Sequence, residues 1–135
     1  MARFATILFA LSTLLAATSA TPVEENALVK RITHSGRGTY FDTGLGACGW
    51  TNQNSDKIIA ISSSIFGSGG NCGQYIQITN TANGKVAYGT VADSCPGCGS
   101  TDLDMTPSLF EELGTLPQGV LQISWHYENK AFKLN

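Results

Sequence analysis

The residues best placed to do chemistry fall in one stretch, Val91 to Phe110 (VADSCPGCGSTDLDMTPSLF), where Asp93, Asp102, Asp104, Cys95 and Cys98 crowd into twelve residues. A carboxylate at the mouth of a folded domain can hydrogen-bond the hydroxyls of a neutral ligand. If it is partly shielded from water, it also keeps a proton to offer. Asp104 is the leading candidate for that role and Asp93 the second, whereas Asp102 reads as a solvated turn residue. Two cysteines three apart could also be half of a zinc knuckle. Zinc would want a second CxxC-like pair or matching histidines, however, and only CPGC has the spacing. No metal and no other cofactor is expected.

The elements that must position these groups are short, β-rich and punctuated by glycine. Gly38–Phe41 reads as a first strand and Lys57–Ser62 (KIIAIS) as a second. Gln74–Thr79 (QYIQIT) alternates with a period of two and is joined by NTANGK to Lys85–Ala92 (KVAYGTVA). Asn83-Gly84 is a hairpin signal, since both residues tolerate positive φ. TPSLFEELG is the one helix: Thr106 caps it, Pro107 suits its first position, Leu109, Phe110 and Leu113 form its apolar stripe, and Gly114 ends it. A last strand runs through GVLQISWHYE, with Trp125 on its apolar face and His126 on its polar one. Leu103 and Met105 flank Asp104 and should point inward, turning the carboxylate outward. About six strands and one helix in some 100 residues argue for a small closed barrel, because open sheet edges are costly.

The first twenty residues have one early cation, Arg3, an apolar run from Phe4 to Ala17 and the small residues Thr18, Ser19 and Ala20. This is the pattern of a secretory signal peptide cut after Ala20, shorter than the roughly 20 apolar residues of a membrane span. Residues 21–31 end in Lys30-Arg31 and read as a propeptide cleaved by a kexin-type protease, leaving 32–135 as the domain, with His34 in a disordered arm. From Ile32 onward there are five basic and eight acidic residues, a net charge of −3, and no basic cluster. Nucleic acid and an anionic membrane are therefore poor partners, and a neutral ligand is expected. In a secreted chain, Cys48, Cys72, Cys95 and Cys98 are most simply two disulfides, with three possible pairings.

The order of GRGTYF (Gly36–Phe41), GACGW (Gly46–Trp50), IAISSSIF (Ile59–Phe66), GNCG (Gly70–Gly73), TVADSCPGC (Thr90–Cys98) and DLDMTPSLFEELG (Asp102–Gly114) resembles that of the double-psi β-barrel proteins. These include expansins, barwin-like proteins, the rare lipoprotein A domain and, nearest in organisation, the single-domain fungal expansin-like loosenins. The resemblance implies an all-β, six-stranded double-psi barrel with one short helix, stapled by disulfides. By likeness to barwin, Cys48 should pair with Cys72 and Cys95 with Cys98.

It also implies an extracellular, monomeric module that binds a cell-wall polysaccharide (cellulose, chitin or peptidoglycan) in an acidic groove and loosens it without hydrolysis. The groove residues carry over to Thr39, Asp93 and Asp104, with Tyr40 and Trp50 as further substrate contacts. Endoglucanases on the same barrel invert with an acid and a base roughly 6.5–9.5 Å apart. Asp42 is the one candidate for the base here, and it reads as a loop residue. A weak inverting endoglucanase, a lytic transglycosylase and an inhibitor of papain-like cysteine proteases are the alternatives.

Overall fold

The computed structural model describes residues 31–135; residues 1–20, expected to be a signal peptide, and residues 21–30 of the expected propeptide lie outside them. The strands are β1 (His34–Tyr40), β2 (Ile58–Ser62), β3 (Tyr75–Asn80), β4 (Val86–Cys95), β5 (Leu103–Met105) and β6 (Leu121–Tyr127). They close into a barrel in the order β1-β5-β2-β4-β3-β6. The β1–β5 and β2–β4 pairs are parallel and the other four antiparallel. Closure removes the edges that an open sheet of this size would expose, as the strand count demanded.

Inward side chains fill the barrel: Ile59, Ile61, Ile76, Ile78, Val91, Leu103, Met105, Ile123 and Trp125 are buried in one cluster. Trp125 is core, and its indole N–H donates to the Thr101 carbonyl at 2.8 Å. A short helix, α1 (Ser63–Phe66), follows β2. A second, α2 (Pro107–Glu111), closes one end of the barrel with Leu109 and Phe110, and a 3-10 turn spans Leu116–Gln118. Among the described residues there are thus two short helices where the sequence signalled one. The four-residue α1 is too short to show a periodic apolar stripe. Thr106 stands at the cap position of α2 but makes no capping bond, and its buried hydroxyl has no partner.

Three local expectations need correction. The first strand begins at His34, not Gly38. The His34 ring stacks on Trp125 with centroids 4.3 Å apart while their backbones pair, so this residue belongs to the barrel wall rather than to an arm. The β3–β4 hairpin forms, but only Gly84 takes a positive φ, +74°. Asn83 instead turns its side chain back, accepting from Lys85 N at 2.9 Å. Finally, β4 runs on to Cys95 and is irregular: Ile59 pairs with Val91 but Ala60 pairs with Asp93, so Ala92 is an extra, bulged residue. The bulge shifts the inside–outside alternation by one. Val91 points inward, and so does Ala92, which frees Asp93 to face out.

The disulfides are Cys48–Cys72 and Cys95–Cys98, the pairing the barwin likeness implied. No free cysteine remains among the described residues.

Candidate functional site

Asp104 is the middle residue of β5, between Leu103 and Met105, both fully buried, so its carboxyl group is directed to the outer side of the barrel. The register then lines up a row across four strands. Thr39 of β1 pairs with Asp104 of β5, Asp104 with Ala60 of β2, and Ala60 with Asp93 of β4. At about 4.8 Å per strand, Asp104 and Asp93 stand two strands apart with only the small Ala60 between them.

The Thr39 hydroxyl donates to Asp104 Oδ1 at 2.8 Å. Burial pushes the Asp104 carboxyl above its ordinary value. The Thr39 hydrogen bond opposes the rise and the negative charge of Asp93 adds to it. Asp93 is differently employed: its Oδ1 accepts from Ala47 N and Ser94 N, both at 2.8 Å.

A cleft of about 250 Å³ opens over this row on the β1–β5 side. Thr39 and Asp104 line it together with Arg37, Asp102 and the Cys95–Cys98 turn. Asp102 is not a solvated turn residue. It accepts from Arg37 N at 2.9 Å and Gly99 N at 3.0 Å, and the Arg37 guanidinium stands 3.5 Å away. The Arg37 backbone N–H holds this carboxyl below its ordinary value, burial partly opposes that, and the Gly99 N–H and the Arg37 charge reinforce it. Asp102 is therefore the clamp that ties β1 to the CPGC turn.

Asp102→Ala should cost about 2 kcal/mol, because two charge-assisted bonds to backbone donors are lost. The thermal midpoint should fall by about 10 °C, as followed by circular dichroism. The stability from this ionised carboxylate is present above the unfolded value of 3.8 and lost as pH falls through the lower folded value. The difference between variant and parent should accordingly shrink in strong acid.

On the far side of Asp93 stands the loop carrying Trp50. A Leu45–Thr51 bridge and a Gly46 N–H bond to the Trp50 carbonyl, 2.9 Å, shape it. Cys48 pins it to Cys72 and donates its N–H to the carbonyl of the bulged Ala92 at 3.1 Å. Gly46 must be glycine, since a Cβ there would sit 2.5 Å from that carbonyl oxygen. Trp50 is 46% exposed.

Of the candidates read from the sequence, Thr39, Asp104 and Asp93 thus share one row, with Trp50 on the loop hydrogen-bonded to Asp93. Tyr40 is not part of the cleft. Its ring meets Phe110 edge-on at 4.8 Å, and its hydroxyl donates to the Leu116 carbonyl at 3.1 Å, so it braces α2 and the turn beyond it. Asp42 is exposed in its loop and accepts from Asn54 Nδ2 at 3.0 Å. Arg37 was missed, although it lies two residues before Thr39, and the period of a strand puts both on one face. Among the described residues, no group of His, Cys, Asp and Glu is arranged to hold a metal ion.

No protein-family profile matches the chain. Among curated proteins it is 39% identical over 88 residues to "Allergen Asp f 7 homolog" of Arthroderma benhamiae, covering 62% of this chain and 30% of that one. It is 36% identical over 99 residues to "Allergen Asp f 7" of Aspergillus fumigatus, covering 68% and 36%. To expansin-like protein 1 of Dictyostelium discoideum it is 28% identical over 99 residues, covering 66% and 35%. The chain spans about a third of the length of these relatives.

Among solved structures, a Clavibacter michiganensis expansin superposes with a TM-score of 0.67 at 25% identity, over 76% of this chain and 53% of that one. A variant of the same expansin, solved in complex with cellohexaose, matches equally well at 24% identity, over 77% and 54%. The Streptomyces papain inhibitor superposes with a TM-score of 0.65 at 29% identity, over 73% of this chain and 96% of that one. Sequence likeness and architecture point the same way, to the expansin-like family of double-psi β-barrel proteins.

Proposed function

We propose that this is a secreted, monomeric expansin-like protein that binds a cell-wall polysaccharide along the row Thr39–Asp104–Asp93 and loosens it without cutting it. One observation carries the reading: Asp104 is half-buried against the Thr39 hydroxyl, in a row whose other carboxylate, Asp93, is held by two backbone N–H groups. Asp104 is half-buried beside a threonine hydroxyl, which suits a group that shares a proton with a sugar oxygen. Asp93, the other carboxylate of the row, spends one oxygen on two backbone N–H groups. Asp42 is exposed and engaged by Asn54. Inverting hydrolysis needs a free base facing the acid across the sugar. The exposed Trp50 offers a stacking face beyond Asp93. The cellohexaose complex of the Clavibacter expansin supports a β-linked glucan as ligand, and the two disulfides suit an extracellular setting.

The test is mechanical and chemical together. Filter paper soaked in the protein should weaken while no reducing sugar is released at any pH, and Trp50→Ala should lower binding to insoluble cellulose about tenfold. Soluble oligosaccharides whose release requires Asp104 would make the protein a glycoside-cleaving enzyme instead. A second reading has its own support, since the Streptomyces papain inhibitor is matched over nearly its whole length. Nanomolar inhibition of papain with no retention on cellulose, chitin or peptidoglycan would favour that reading.

A further inference from the structure

The Cys95–Cys98 disulfide lies in the wall of the cleft, which the other disulfide does not. It closes a loop across a separation of only three residues. The turn it spans has its own hydrogen bonds: Cys98 N to the Cys95 carbonyl, 3.2 Å, and the Ser62 hydroxyl to the Cys98 carbonyl, 3.1 Å. Just beyond it, Gly99 N reaches Asp102 Oδ2 at 3.0 Å and Asp102 N returns to the Gly99 carbonyl at 3.0 Å. None of those bonds runs through a sulfur atom.

At the tip Pro96 and Gly97 are exposed, and Cys95 and Cys98 on either side are half-buried. By contrast, Cys48–Cys72 bridges a separation of 24 residues and joins the Trp50 loop to the glycine-rich turn before β3. Opening that bond releases two loops.

We propose that Cys95–Cys98 is a thiol–disulfide exchange site, taking low-molecular-weight thiols as substrates, and not a structural staple. The step is a simple displacement. A thiolate attacks one sulfur of the pair, the Cys95–Cys98 bond breaks as the mixed disulfide forms, and the departing cysteine leaves as a thiolate that takes up a proton. A second thiol then displaces the first as its disulfide. Two external thiols are oxidised, and the pair gains two electrons and two protons.

The charged groups facing the cleft suit this step. The Arg37 guanidinium, 62% exposed, favours a thiolate. Asp104 lines the same cleft, and burial raises its carboxyl above the ordinary value. Asp102 is locked as an anion by its own bonds and takes no part. The exchange chemistry is independent of what glycan the cleft holds.

The test equilibrates the whole protein in glutathione buffers of stepped reduced-to-oxidised ratio, quenches in acid, alkylates the free thiols and maps them by peptide mass. Cys95 and Cys98 should become alkylated at a poise at least about tenfold less reducing than Cys48 and Cys72, some 30 mV for this two-electron couple. The far-ultraviolet dichroism of the barrel should be unchanged at that point. Opening of Cys48–Cys72 first, or of both bridges together with loss of the barrel, overturns the proposal. A Cys95→Ser, Cys98→Ser variant should keep the barrel and show no thiol at the mild poise; a thiol count equal to the parent's there also overturns it. Glycan binding is not read in either measurement, so failure of the binding proposal leaves this outcome distinct.

Discussion

Replacing Cys48 and Cys72 together by serine is expected to destabilise the barrel by about 3.5 kcal/mol, the loop-closure entropy returned to an unfolded chain when a bridge across a separation of 24 residues is removed. For a domain of about 100 residues this is a fall in thermal midpoint of about 15 °C or more, read by dichroism or calorimetry. The same double change at Cys95 and Cys98 should cost only about 1.5 kcal/mol, because the loop it closes is so short. Equal losses would mean that the CPGC turn depends on its sulfur bridge and that its backbone bonds are insufficient. The larger loss should also reach the cleft, since the Cys48 loop places the Ala47 N–H on Asp93.

Asp104→Asn should abolish the weakening of filter paper, a loss of at least about a hundredfold if the proton on this group is required, while the protein remains folded. Asparagine keeps an oxygen for the Thr39 hydroxyl but cannot ionise. The effect on stability has a definite sign. The folded carboxyl is raised above 3.8, so at acid pH it is protonated in both states and costs nothing. As pH rises, the unfolded chain ionises first and stability is lost until the folded group has ionised too. The variant should therefore be as stable as the parent or slightly more so at neutral pH, and that margin should vanish below 3.8. By the same reasoning, loosening by the parent protein should be strongest in acid and fade as pH rises through the raised value. Full activity of Asp104→Asn, or a parent profile flat with pH, would remove Asp104 from the mechanism and leave it a groove-lining structural residue.

How far these residues could be read in advance depended on whether the signal was local. β3 showed itself because Ile76 and Ile78 alternate with polar neighbours, and α2 because Pro107 and the Leu109–Phe110–Leu113 stripe lie within one helical turn or two. Asp104 was legible for the same reason, flanked by two apolar residues that had to point the other way. The row that joins it to Thr39 and Asp93 is a matter of register between strands distant in the chain, and composition carries no trace of that. Nor does it reveal the bulge at Ala92. By simple alternation Asp93 would share the inward face of Val91, and only the extra residue turns it outward. Tyr40, which the resemblance implied as a substrate contact, is sent by strand alternation to the face opposite Thr39, where it meets Phe110, a partner 70 residues away in sequence. Asp102 and His34 were undervalued because their partners, Arg37 and Trp125, lie 65 and 91 residues away in sequence.

The strand order has a consequence for how the molecule is made. Around the ring, only β3 and β4 are neighbours in both sequence and space; every other seam joins strands that emerge from the ribosome well apart, and β1, the earliest of the six, is flanked by β5 and β6, the two latest. The hairpin can form as soon as it is synthesised, but until β6 arrives β1 has unsatisfied backbone donors and acceptors along one side. Such non-local pairing belongs to the slow end of single-domain folding, milliseconds to seconds. Completion therefore waits for β6, and a chain stalled before Leu121 would display two unpaired strand edges, on β1 and β3, to whatever quality-control machinery or sister chain it meets first.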